Sequence, residues 1–157
     1  MKKIEVSDEV YQALRSFSSD FEKDPSRVIG ALLDRPEEAL IGKKLSAFLG
    51  SPAFRALGSD ADRYLAILGF VYKDHGPDFR DFVEHLSSRR KYFGASPEEI
   101  QETSRHNQAR QIPNSPYWAI MNIDTATKRR FLRRAMEFVG YPDEAIALAT
   151  SHMGRQV

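Results

Sequence analysis

The sequence predicts a mainly α chain of α+β class: a small strand–helix–helix unit followed by a mostly helical domain with a small β-sheet. Three observations lead there. Apolar residues recur three and four positions apart through most of the 157 residues, the spacing of one helix face. Helix-opening pairs are frequent, among them Asp24-Pro25, Ser51-Pro52 and Ser96-Pro97, with proline at the first helical position. Strand-like alternation is confined to "KKIEV" at 2–6, "RRKYF" at 89–93 and "PYWAIM" at 116–121.

In "KKIEV", Ile4 and Val6 fall on one side, Lys3 and Glu5 on the other. Ser7 caps a helix whose first turn holds Asp8 and Glu9, favourable at the positive end of the helix dipole. Val10, Leu14 and Phe17 give that helix an apolar stripe. Asp24-Pro25 opens a second helix with Val28, Ile29, Leu32 and Leu33 inside. About 34 residues are too few to bury a core, and the single strand has no partner within the unit. Two copies pairing their strands antiparallel across a two-fold axis remove both deficits, which is the ribbon-helix-helix arrangement. Residues 1–35 are therefore expected to dimerise through Lys3, Ile4, Glu5 and Val6. Such a strand pair can also enter the major groove of DNA. Here the outward Glu5 would face the phosphate wall, and residues 1–34 carry five Lys/Arg against seven Asp/Glu, so dimerisation is favoured over base reading.

Arg35-Pro36 ends the second helix, because a residue before proline avoids the α region. Residues 35–39 are expected to form a short joint to a second domain at 36–157. In it, Leu40, Ile41, Leu45, Phe48 and Leu49 make a helical stripe ended by Gly50. Ser51-Pro52 opens a short helix, and Ser59-Asp60 a longer one with Tyr64, Leu65, Leu68, Val71 and Tyr72. Phe79, Phe82, Val83 and Leu86 continue after Gly76-Pro77. Ser96-Pro97-Glu98-Glu99 has the capping-box spacing. Residues 125–139 and 142–152 are expected as two final helices separated by Gly140.

Composition narrows the function classes. Hydrophobic content of 41% and charged content of 29% belong to a globular chain, not a disordered one. The absence of cysteine removes disulfide frameworks, zinc knuckles and thiol nucleophiles, and suits a reducing compartment. No apolar stretch follows the N-terminal lysines, and no run approaches the ~20 residues that span a bilayer, so a cytoplasmic protein without a membrane partner is expected. The net charge of +1 conceals an uneven distribution. Residues 36–88 carry six Lys/Arg against eight Asp/Glu, whereas residues 89–134 carry ten against four. A polyanion-binding surface would sit in that second segment.

The four histidines, His75, His85, His106 and His152, show no metal-ligand spacing. No Gly-rich phosphate loop, nucleophile elbow or HExxH stretch occurs. Carboxylate pairs such as Glu98/Glu99 and Asp143/Glu144 lie in first helical turns, where the dipole accounts for them. The sequence thus gives no active site, cofactor or small-molecule substrate, and the function it points to is not enzymatic. If 89–93 pairs with 116–121, Arg89, Arg90 and Lys91 lie beside a polar loop starting at Asn122. Thr125 to Lys128 would then form a helix N-terminus that attracts phosphate. An exposed asparagine can pair bidentately with adenine in the major groove. Asn122 and Asp124 serve equally well as turn and N-cap residues with no partner, and the residues alone leave both readings open.

"PYWAIMNIDTATK" resembles the "PYWVITNTNTGRK" loop of the SeqA family, the negative modulators of replication initiation. The N-terminal "MKKIEVSDEVY" is similar to the family's "MKTIEVDDELY", "RRKYF" to its "GRTRVYF", and "YPDEAIALA" to its "FPAELIEKV", in the same order along the chain. The resemblance implies a ribbon-helix-helix unit that dimerises and assembles filaments. It also implies a C-terminal domain that binds hemimethylated GATC in double-stranded DNA and sequesters newly copied origins, with the protein associated with the nucleoid. Asn122 falls on the family's first base-reading asparagine, while Asp124 replaces the second. Thr125 and Lys128 are retained, and Ala126-Thr127 replace Gly-Arg. Arg89 and Arg90, with Lys91 and Tyr92 after them, match the family's two arginines if one threonine is deleted. Asp60 and Ala61 fall near a helix start that resembles a further DNA-backbone contact, and Ile123, like Met121, flanks Asn122 where an N6-methyl group could be met. The alternative is a ribbon-helix-helix transcriptional regulator reading an operator through Lys3 and Glu5. An enzyme acting on DNA lacks the motifs it would need.

Overall fold

Ser7 opens the first helix of a computed structural model that describes residues 5–17, 21–26, 28–29, 36–86 and 90–154. The chain divides into two units, Met1–Lys44 and Leu45–Val157.

In the first unit, α1 spans Asp8–Phe17, and the Ser7 hydroxyl accepts from the Val10 N–H at 3.3 Å. Tyr11 donates to Glu22, which also pairs with Arg15 at 3.0 Å, and the Tyr11 ring meets buried Phe21 edge-on. Asp24 and Pro25 start a helical turn closed by Val28 N–H donating to Asp24 at 3.3 Å, and Val28 is buried. Glu5 and Val6 precede α1 without regular structure, and Val6 and Val10 remain 44% and 46% exposed. Lys3 and Ile4 of the expected strand, and Leu32 and Leu33 of the expected second helix, lie outside the described residues.

Helix α2 spans Pro36–Leu49, so residues 36–39 are helical rather than a flexible joint. Pro36 takes the first helical position, where its missing N–H costs nothing and its fixed φ suits the helix. The division between units falls within α2.

In the second unit Ser51 caps α3 (Pro52–Arg55), accepting from Phe54 N–H, and Ser59 caps α4 (Asp60–His85), accepting from Asp62 N–H at 3.1 Å. The sequence suggested separate helices around Gly76-Pro77. The structure agrees: the Asp60–His85 element is two helices in line, broken at His75, whose φ −135° and ψ 42° are not helical, because Pro77 removes a donor and its ring collides with the carbonyl one turn back. Tyr64, Leu65, Ile67, Leu68, Val71, Phe79 and Phe82 are its buried face.

Strand β1 is Phe93–Gly94, α5 is Pro97–Gln101, β2 is Ala109–Gln111 and β3 is Trp118–Ile120. The sheet is antiparallel in the order β1-β3-β2, pairing Phe93 with Ala119 and Arg110 with Ala119 on its other side. Strand β2 is the element that sequence periodicity misses. It is an edge strand whose contribution is main-chain pairing, so its polar side chains need no alternation. Helices α6 (Thr125–Val139) and α7 (Asp143–Ser151) complete the unit, separated by Gly140 in the left-handed region (φ 97°), whose N–H closes α6. Helix α4 packs along α6, and Phe79, Phe82, Phe93 and Phe131 form a ring cluster where α4, β1 and α6 meet. This mainly helical class with a small sheet is the one the sequence predicts.

Gly69 marks the closest approach to α4: a Cβ there would lie 3.1 Å from both the Cβ and the carbonyl oxygen of Pro113, neither of which can swing away. At Gly42 a Cβ meets nothing within 4 Å. Alanine is favoured over glycine in a helix interior by about 1 kcal/mol. Gly42→Ala should therefore raise the thermal midpoint and Gly69→Ala lower it, as read by circular dichroism on the two variants side by side.

Candidate nucleic-acid interface

Residues Met121–Asp124 link β3 to α6 and are fixed from three directions. Met121 N–H extends the ladder to the Gln108 carbonyl at 2.8 Å. The exposed Asn122 then clamps the same neighbouring segment: its Oδ1 accepts from Gln108 N–H at 2.8 Å, and its Nδ2 donates to the His106 carbonyl at 3.0 Å. This two-point pairing with main chain resembles the pairing an asparagine makes with adenine. The amide therefore keeps only one lone pair and one N–H for any other partner.

Lys128, which the sequence placed among phosphate-binding residues, is buried, and its ammonium donates to the Ile123 carbonyl. Burial lowers its pKa, opposed by the Asp60 and Asp124 carboxylates. It braces the loop from within. Asp124 is the N-cap of α6, accepting from Thr127 N–H at 2.7 Å, and hydrogen bonds from Thr127 hold its carboxyl below the usual range. The N-terminus expected to attract phosphate is thus already occupied by an anion of the chain itself.

Thr125 donates to Asp60 at 3.1 Å, joining the first turns of α6 and α4. Asp60 also accepts from Arg63 at 3.0 Å and from Gly154 N–H at 3.3 Å. Burial works against its ionisation, but these hydrogen bonds win and its pKa is lowered. Ala61, half-buried, follows it. Asp62 pairs with Arg110 of β2 at 2.9 Å, and that bond, with one from Ser59, lowers its pKa too. The structure therefore joins the first turn of α4 at Asp60 to the first turn of α6 at Thr125.

Arg90 lies beside Asn122. Its guanidinium donates to Asn107 Oδ1 at 3.0 and 3.3 Å, and Arg90 and Asn122 line one open depression of about 370 Å³ together with Thr103, Ser104, His106 and Asn107. Arg89 lies outside the described residues. Lys91 turns to Glu99 at 3.9 Å, and the Tyr92 ring stacks on Phe131 with centroids 4.0 Å apart. Ile123 and Thr127 are half-buried and Ala126 is exposed. Asn107, which sequence reasoning missed, organises this corner: it is buried, and its Nδ2 donates to the Ile100 carbonyl and to Thr103. Its only sequence signal is an asparagine in a polar stretch, which is no signal at all.

Residues 43–151 match the family profile described as the SeqA protein C-terminal domain. The chain belongs to the SeqA family. The negative modulator of initiation of replication from Idiomarina loihiensis is 27% identical over 153 residues, covering 90% of this chain and 92% of the relative. That of Mannheimia succiniciproducens is 31% identical over 106 residues, 66% of this chain and 49% of the relative. Vibrio cholerae SeqA, as solved in a crystal, superposes with a TM-score of 0.65 at 24% identity, over 70% of this chain and 95% of that one, which establishes the shared fold. Regulation of replication initiation is the function of the group to which the chain belongs. No helix among the described residues is long and apolar enough to cross a membrane.

The carboxyls of Asp60, Asp62 and Asp124 ionise more readily in the fold than in the unfolded chain. The stability they add is complete above their ordinary value of 3.8 and is lost as the pH falls through their lower folded values. Asp60→Asn should cost about 1 kcal/mol at pH 7, allowing for partial solvent screening. In urea titrations it should also show a smaller further loss at pH 3 than the unaltered chain does.

Proposed function

We propose that the chain binds hemimethylated GATC in double-stranded DNA through its Leu45–Val157 unit, and so keeps newly copied origins from re-initiating. The observation that carries this reading is that Arg90 and Asn122 line one depression beside two joined helix starts. A duplex seated there meets a braced loop at the groove and a cation next to it, and Thr125 ties the helix that follows the loop to Asp60 at the start of α4. Ile123, half-buried, offers its remaining apolar surface to the N6-methyl group, whereas Met121 on the other side of Asn122 is buried. Asn122 sets the loop's shape and contributes its one remaining donor and acceptor, in place of full bidentate readout. Because hemimethylated GATC has lost its two-fold symmetry, one such unit reads one site.

The N-terminal unit is the ribbon-helix-helix dimerisation element of this proposal, with residues 3–6 as the shared ribbon. Its support is the exposed apolar surface of Val6 and Val10, which a second copy would cover. Filament assembly, and association with the nucleoid in the cytoplasm, extend the same self-association.

Two measurements test the reading. Binding of the full chain to unmethylated, hemimethylated and fully methylated GATC duplexes at one salt concentration should favour the hemimethylated form, and Asn122→Ala should weaken binding at least tenfold; equal affinity for all three duplexes rejects methylation sensing. In sedimentation the chain should be a dimer at micromolar concentration, and Val6→Asp a monomer.

A further inference from the structure

Helix α6 carries Arg129, Arg130, Arg133 and Arg134, all exposed, at positions that share one face of the helix. With Ala126 they line a single depression of about 290 Å³. Two of the four are held in place: the guanidinium carbons of Arg130 and Arg134 lie 5.3 and 5.4 Å from the centre of the buried Phe131 ring. Several other cations have carboxylate partners, as Arg15 with Glu22, Arg63 with Asp60, Lys91 with Glu99 and Arg110 with Asp62. Among the described residues none of the four α6 arginines has an ion-pair partner. Like charges one turn apart repel each other, and a folded chain keeps four of them together at a cost that a bound polyanion removes.

We propose that this arginine face is a second, sequence-independent surface for the phosphate backbone of duplex DNA, continuous with the loop and extending the footprint beyond the four base pairs of the site. The inference rests on the DNA-binding reading above. Three features select a phosphate rail over other anions. Arginine's planar fork matches phosphate oxygens in pairs. Ala126 belongs both to this depression and to the first turn of α6, so the face begins where the loop ends. From Arg129 to Arg134 the helix rises about 7.5 Å, and one DNA strand carries a phosphate about every 3.4 Å of axis, so the face spans about two phosphates.

The test is a salt series of binding by the full chain to a hemimethylated GATC duplex and to a duplex of equal length without GATC. Arg130→Gln/Arg133→Gln is compared with the unaltered chain and with Arg80→Gln, which removes an exposed cation of α4 that is paired with Asp81. Glutamine keeps the helix propensity, and an unchanged far-ultraviolet spectrum confirms the fold. The double variant should lower the slope of log affinity against log salt by about 1.8 on both duplexes, about 0.9 for each phosphate released. Its preference for the hemimethylated duplex should stay as before, and Arg80→Gln should leave the slope unchanged. An unchanged slope in the double variant, or an equal fall in Arg80→Gln, overturns the arginine face while leaving the loop's role intact. Failure of the unaltered chain to bind either duplex at low salt sinks the DNA-binding reading itself, and this inference with it.

Discussion

The carboxamide of Asn122 bridges from the β3–α6 loop to the main chain of His106 and Gln108, and the loop's shape hangs on that bridge. Residues 121–124 have only one ladder bond of their own, from Met121, and ordering each residue costs roughly 1–2 kcal/mol of backbone entropy. Side chains make up the difference: Asn122 on one flank, Lys128 from below and Asp124 at the helix start. A loop set in advance gives up little freedom on meeting a partner, which is the condition for a small surface to bind selectively. The same bridge constrains how Asn122 can read. A side chain that holds the loop with both ends of its amide cannot also offer both ends to a base.

Asp124 shifts the electrostatics in a related way. A free helix start is a ready anion site, but here a carboxylate already caps α6, and Asp60 and Asp62 stand in the first turn of α4. The dipoles of both helices are therefore spent within the protein. On the proposed reading, attraction for a phosphate rail then falls to guanidinium groups, in two places: Arg90 beside the loop and the row along α6. On the proposed reading the chain has moved its grip from helix ends to side chains.

Most of the helices could be read from their ends. Ser7, Ser51, Ser59, Ser96, Gly50 and Gly140 act through local hydrogen bonds that depend on only a few neighbouring residues, so the sequence carries them fully. What could not be read depends on distant partners. Strand β2 exists because β3 lies alongside it, and nothing in "ARQ" announces that. Lys128 looked like a surface cation, and only the folded loop reveals the carbonyl it serves. The juxtaposition of Arg90 with Asn122, by contrast, followed from pairing two short strands on their pattern alone, although the ladder itself is shorter than expected, starting at Phe93.

The proposed recognition of the N6-methyl group by Ile123 sets a limit that bears on the rest of the chain. Burying one methyl-sized group is worth about 0.8 kcal/mol, roughly a fourfold preference, and Ile123 has only part of its surface to give. On that reading a single C-terminal unit would distinguish hemimethylated from unmethylated DNA only weakly. Two units acting on two sites multiply their preferences, giving about sixteenfold, and the second binding event becomes intramolecular once the chains are joined. Selectivity for recently copied DNA would then depend on the apolar surface around Val6 and Val10 as much as on the loop that touches the base, since without pairing of the first unit the second has too little energy to choose.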